Sequence, residues 1–182
     1  MMWRTHLMCG LAALWVLEPF APIAADAYAL WIGGAMLGSL LPDLDASESK
    51  IRHFGWRQNG LRVEPLQPLA SLAHRAFGHR GFLHSLGGVA LCAVALVPAG
   101  KYLGGAFYGG ILLGYASHLC ADALTKSGIP LWQWWPGKTV RQVHVVPRWA
   151  RVSTGSQAEE PVFVLVALGV FALLLRHLTL PP

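Results

Sequence analysis

Seven histidines and aspartates in this 182-residue sequence, of the types that hold divalent cations, fall at the edges of apolar segments. His118 and Asp122 stand four apart in Ser-His-Leu-Cys-Ala-Asp. On a helix both would project from one face about a turn apart, a spacing shared by metal ligands and by hydrogen-bonded or capping pairs. Asp43 and Asp45 lie in a Pro-Asp-Leu-Asp turn just past an expected helix end. The helix dipole opposes negative charge there, so a metal or a neighbouring arginine should compensate them. His79 and His84 bracket Arg80-Gly81 ahead of another apolar run, and His6 opens the first one. A helix start behind Gly81 would favour an anion, while a basic turn facing lipid phosphate would use the same residues. Ionisable groups within membrane segments cost about 2.5–3.5 kcal/mol each at a helix centre on insertion scales. Four imidazoles and three carboxylates kept at such positions suit two or more hard or borderline divalent ions, zinc first among them.

The elements that must carry these residues are membrane helices. Charged residues make up 13% of the chain and hydrophobic ones 54%, with a mean hydropathy of +0.46; soluble domains carry about 25% charged residues. Disorder, collagen and disulfide-rich scaffolds are excluded by the same composition. Cys9, Cys92 and Cys120 lie in apolar runs without C-x-x-C spacing and read as small reduced hydrophobes. Five apolar stretches run from Leu7 to Ala25, Tyr28 to Pro42, Phe82 to Pro98, Tyr102 to Ala121 and Pro161 to Leu175. A crossing helix needs about 20 apolar residues, a length only the first and fourth reach comfortably. The first is interrupted by Glu18, Pro19 and Pro22. Glycines at 33, 34, 38, 104, 105, 109, 110 and 114 point to close helix packing. The expected fold is all-α: one polytopic domain over residues 1–182, with four to five membrane-embedded helices and basic cytoplasmic loops at 43–80 and 122–160.

If all five stretches cross, every basic residue except Lys101 and Arg176 falls on one side. The positive-inside rule makes that side cytoplasmic, with the amino terminus in and the carboxyl terminus out. A charge excess set by topology gives no reason to expect a nucleic-acid partner, despite a formal net charge of +5. Arg4, the apolar run and Ala25-Asp26-Ala27 also imitate a secretory signal with a cleavage site, but its removal would upset the charge alternation and delete His6. The seven metal-type residues would then gather at one cytoplasmic depth.

As an ordered set, Thr5-His6, Gly38-Ser-Leu-Leu-Pro-Asp-Leu-Asp45, His79-Arg80-Gly81 with His84-Ser85, Gly114-Tyr-Ala-Ser-His118 with Asp122 and Thr125, and Gly155-Ser156 with Glu159 resemble the bacterial inner-membrane metal-dependent hydrolases of the YdjM type. The resemblance covers nearly the whole chain. It implies that His6, Asp43, Asp45, His79, His84, His118 and Asp122 match positions taken to be metal-binding or catalytic. Leu83 stands where a threonine is common, which weakens a role for a hydroxyl there, and Cys120-Ala121 replaces a more leucine-rich run. A looser likeness, of order and type only, links the chain to zinc-dependent phospholipases C and single-strand nucleases and implies phosphoester hydrolysis.

The expectation is a membrane-bound hydrolase acting on a phospholipid or another membrane-associated phosphoester through metal-activated water. Asp43 and Asp45 would share ligation and general-base work, one of them bridging two ions, and Arg80 would bind the anionic group of the substrate. Ser156-x-x-Glu159 reads as a capping box, with Glu159 alternatively supporting a ligand or acting as a base. Trp132, Trp134 and Trp135 read as interfacial anchors or the lining of a lipid groove. His53, His74 and His144 fall in basic loops, and His177 falls on the far side. The competing expectation is a non-enzymatic metal-binding membrane protein or transporter component. A transporter would place its polar set at mid-membrane, often in repeated halves, and no repeat is visible.

Overall fold

The computed structural model describes residues 1–46, 49–58, 61–77, 81–138 and 140–179. Seven α-helices dominate these residues: α1 (Trp3–Leu17), α2 (Tyr28–Gly38), α3 (Gln67–Phe77), α4 (Leu86–Ala95), α5 (Val97–Leu103), α6 (Gly105–Ala123) and α7 (Glu159–Thr179). Short 3-10 turns at Leu41–Asp45 and Phe82–His84 follow α2 and precede α4. The long basic connection is not wholly helical. It contains an antiparallel hairpin of β1 (Trp56–Gln58) and β2 (Leu61–Val63), pairing Trp56 with Val63 and Arg57 with Arg62.

Helix ends follow local chemistry. α1 stops at Leu17 because Pro19 cannot continue the hydrogen-bond ladder, so the first apolar stretch yields a 15-residue helix rather than a full span. The third stretch breaks after Ala95, and Pro98 sits in the first turn of the separate α5, where its missing N–H costs nothing. Gly104, at φ 90°, turns the chain from α5 into α6 through backbone that favours glycine. The fifth stretch, short by its apolar residues alone, absorbs the polar Glu159 and Glu160 and becomes the longest helix. Its 19 residues Glu159–His177 are, among the described residues, the one helical segment long and apolar enough to cross a membrane. About 28 Å at 1.5 Å per residue matches a hydrocarbon core of about 30 Å. Val164, Leu165, Leu168 and Phe171 on it are exposed, as a lipid-facing helix requires.

The tightest contact joins α2 and α6, with α1 packed against both and α7 against α1. Small residues make this possible. A Cβ at Gly38 would overlap the Ile111 carbonyl, one at Gly114 the Ala35 carbonyl, and one at Gly10 would sit 2.9 Å from Ala35 O. On α6, Tyr115, Leu119 and Ala123 form a core with Ile129 of the segment that follows. Leu44, Ile51 and Ala70 pack the 3-10 turn at Leu41–Asp45 against α3.

Candidate metal centre

The backbone-to-backbone approach of α1, α2 and α6 sets the start of α1, the turn after α2 and the end of α6 side by side, and the turn before α4 closes the group. His6, Asp43, His84, His118 and Asp122 come together there. Four of them are essentially inaccessible, whereas the Asp43 side chain keeps 18% of its surface.

His118 carries the clearest orientation. Its Nδ1 lies 2.8 Å from the Ser39 carbonyl, and since a carbonyl only accepts, Nδ1 holds the proton and Nε2 presents its lone pair. Ligating histidines are commonly fixed by such a bond from the other ring nitrogen. Nε2 of His118 is 3.3 Å from Nε2 of His84. Oδ1 of Asp43 lies 3.5 Å from His84 Nε2 and 3.8 Å from His118 Nε2. Oδ2 of Asp122 lies 3.7 and 3.8 Å from the same two nitrogens. Donors bound at about 2.0–2.2 Å to a tetrahedral zinc stand about 3.3–3.5 Å apart, so these edges need only a few tenths of an ångström of contraction.

A second group shares this cluster. His6 stacks on His118 with ring centroids 3.7 Å apart and planes 12° from parallel, and its Nε2 is 3.4 Å from Asp122 Oδ1. Asp122 therefore turns one oxygen toward His6 and the other toward His84 and His118. Its Oδ1 also meets the Met1 ammonium. The donor atoms of His6, His118 and Asp122, and those of Asp43, His84 and His118, form two sets each within 4.8 Å.

The residues fit a divalent cation on a further count. Among the described residues, neither nitrogen of buried His6 and not Nδ1 of His84 has a hydrogen-bond partner; the 3.4 Å approach of His6 to Asp122 fails on geometry. Unsatisfied buried polar atoms are costly, and coordination would engage at least one on His6. Burial pushes the Asp43 carboxyl up, but the imidazoles of His84, His118 and His6 outweigh it and hold it well below the usual carboxylate range.

Other sequence-derived candidates lie elsewhere. Asp45 is buried in the 3-10 turn beside Asp43 but belongs to neither donor set, and its backbone carbonyl accepts from His74 Nδ1 at 2.6 Å. His118 is common to both sets, and Asp122 is the carboxylate that approaches histidines of both, with Oδ1 toward His6 and Oδ2 toward His84. His79 and Arg80 lie outside the described residues. Glu159 touches no donor. Its Oε1 accepts from the Thr5 hydroxyl at 2.8 Å and from Met2 N–H, and its Oε2 accepts from Gly155 N–H at 2.7 Å. The expected capping box thus closes on Gly155 rather than Ser156, and the same carboxylate ties α7 to the turn carrying His6. Trp132, Trp134 and Trp135 are exposed. His53 meets Glu64, and His144 meets the Lys126 carbonyl; His74 sits on α3 rather than in a loop.

Several supporting groups carry no advance signal as site residues. Ser39 acts through its carbonyl, and a backbone acceptor has no residue signature. The Tyr115 hydroxyl donates to Leu83 O at 2.5 Å, and the Leu131 carbonyl accepts Leu86 N–H at 2.9 Å, holding the His84 turn from two sides. A cavity of about 270 Å³, bounded by Trp3, Leu40, Lys50, Ile51 and Thr154, reaches Asp43.

Fold and site together define a helical membrane protein with a buried histidine–aspartate cluster at one end of its bundle. The sequence profile of the YdjM inner membrane protein family matches residues 1–179, and the chain belongs to that family. It is 37% identical over 151 residues to the inner membrane protein YdjM of Escherichia coli, and equally to that of Shigella flexneri. Each alignment covers 80% of this chain and 66% of the relative, just under two thirds of its length. The uncharacterized protein YvsG of Bacillus subtilis is 30% identical over 128 residues, 70% of each chain. No solved structure matches.

Proposed function

We propose that this protein is a metal-dependent hydrolase of the bacterial inner membrane, multi-pass with four to five embedded helices, its amino terminus and site cytoplasmic, acting on a phospholipid or another membrane-associated phosphoester. The observation that carries the reading is the approach of Asp43 Oδ1 and Asp122 Oδ2 to within 3.8 Å of both His84 Nε2 and His118 Nε2, with His118 fixed on Ser39 O. A divalent ion such as zinc, when bound, would supply the Lewis acid that makes water a nucleophile near neutral pH.

The protein's own residues would divide the remaining work. His84, His118, Asp43 and Asp122 would hold one ion, and His6 with the outer oxygen of Asp122 a second. Asp43, the one partly accessible donor, would take the proton from the attacking water. His79 adjoins the cluster in sequence and would complete it, while Arg80 would bind the substrate's anionic group. The cavity over Asp43 pairs apolar Trp3, Leu40 and Ile51 with Lys50, which suits an anionic group attached to an apolar body.

The test is metal content and turnover of the detergent-purified protein. Wild type should carry stoichiometric metal and cleave bis-aryl phosphates or phospholipids. His118→Ala and Asp122→Ala should lose both. Absence of metal from the folded wild type would sink the reading, and metal without turnover on any phosphoester would favour a non-enzymatic metal-binding protein.

A further inference from the structure

The far end of the bundle holds a second cluster of ionisable side chains. Glu18, where α1 ends, accepts a hydrogen bond from the Tyr28 hydroxyl at the start of α2. The same oxygen lies 3.2 Å from His177 Nδ1 on the last turns of α7. The Tyr28 and His177 rings meet with centroids 4.7 Å apart. Glu18 Oε2 has no hydrogen-bond partner among the described residues, and the side chain retains 25% of its surface.

These groups line a cavity of about 1210 Å³. Its walls include Trp15, Ile23, Ile32 and Leu173, and its polar side adds Arg176 to Glu18, Tyr28 and His177. That volume exceeds the 300–1,000 Å³ of ordinary small-molecule pockets. The cavity sits at the opposite end of the Glu159–His177 span from the metal donors, about 28 Å away along the helix. Phe20, Phe171 and Leu175 are exposed nearby, so apolar surface continues from its mouth.

We propose that this cavity binds a phospholipid whose headgroup carries a primary amine. Glu18 receives the ammonium, held in place by Tyr28 and His177, and Arg176 takes the phosphate. The apolar walls receive the glycerol and the upper acyl chain. One carboxylate and one guanidinium lining the same cavity complement a zwitterion. A purely anionic headgroup would satisfy Arg176 but leave Glu18 facing like charge, which separates the two lipid classes.

The proposal is tested by incorporating the full-length protein into vesicles of equal phosphatidylethanolamine and phosphatidylglycerol, extracting it gently, and counting retained lipids by native mass spectrometry. Wild type should retain phosphatidylethanolamine in preference. Glu18→Gln should lower that retention about tenfold, the scale of one charge-assisted hydrogen bond, without raising phosphatidylglycerol. Arg176→Gln should weaken both lipids, and Lys101→Gln, outside the cavity, neither. Equal retention of the two lipids by wild type, or preference for phosphatidylglycerol, overturns the proposal whatever the variants do. Metal content measured on the same samples should not change in any variant, so this proposal and the hydrolase reading can fail separately.

Discussion

Individual residues in the cluster have unequal roles, and substitutions should separate them. Asp122 turns Oδ1 toward His6 and Oδ2 toward His84 and His118, so Asp122→Asn should reduce metal content more than Asp43→Asn, whose carboxylate meets His84 and His118 alone among the described histidines. Asp45→Asn should keep wild-type metal content, because Asp45 lies outside both sets. Elemental analysis of the monodisperse fraction checks all three. Acidification should also release metal, since protons compete with the cation for the imidazole lone pairs. The sign for Asp43 runs the other way: its depressed carboxyl stays ionised as pH falls through the ordinary carboxylate range, so protonation of Asp43 should not be what starts acid release. Metal retention across a pH titration, compared between wild type and His6→Ala, reads this directly. Residue types and their boundary positions made the convergence of His6, Asp43, His84, His118 and Asp122 legible in the sequence. The division of labour between Asp45 and Asp122 was not, because it depends on how an aspartate rotates on its own turn.

At the scale of elements, the donors are close because α2 and α6 are. Gly38 and Gly114 lie where any Cβ would overlap a backbone carbonyl of the neighbouring helix, and rigid backbone cannot yield as a flexible side chain can. Gly114→Ala should cost about 1–3 kcal/mol, as overpacking does, and lower metal content by drawing His118 away from Asp43. Gly169→Ala on α7 is the matched control. A Cβ there meets nothing, and alanine in a helix interior is favoured by about 1 kcal/mol, so that variant should be neutral or stabilised. Thermal unfolding in detergent, with metal content beside it, measures both. The glycine pattern revealed close packing but not its partners. The helix breaks at Pro19 and before Pro98 had visible causes, and the Asn59-Gly60 pair in the sequence was a usable hairpin signal. The expectation of helices alone did not take that pair into account.

For the whole molecule, charge placement and fold point to one orientation. α1, α2, α4, α6 and α7 set the metal donors, the 124–158 segment and the start of α7 at the same end, where most of the basic residues also lie. Lys101 and Arg176 mark the other end. On the proposed multi-pass reading the positive-inside rule would put the cluster on the cytoplasmic side; among the described residues, α7 alone meets the length and composition of a crossing helix unaided. Membrane character was legible because scarcity of charge is a bulk property. The number of crossings was not, because helices of 7 to 15 residues can be embedded without spanning. Substituted-cysteine labelling addresses that gap once Cys9, Cys92 and Cys120 are replaced. Trp149 and Tyr102 are both strongly exposed, the first near the site and the second beside Lys101. Trp149→Cys should react with an impermeant thiol reagent only in inverted vesicles, and Tyr102→Cys only in right-side-out ones. Labelling of both from one side would mean that α4 and α6 dip into the bilayer without crossing it, leaving α7 to carry the crossing.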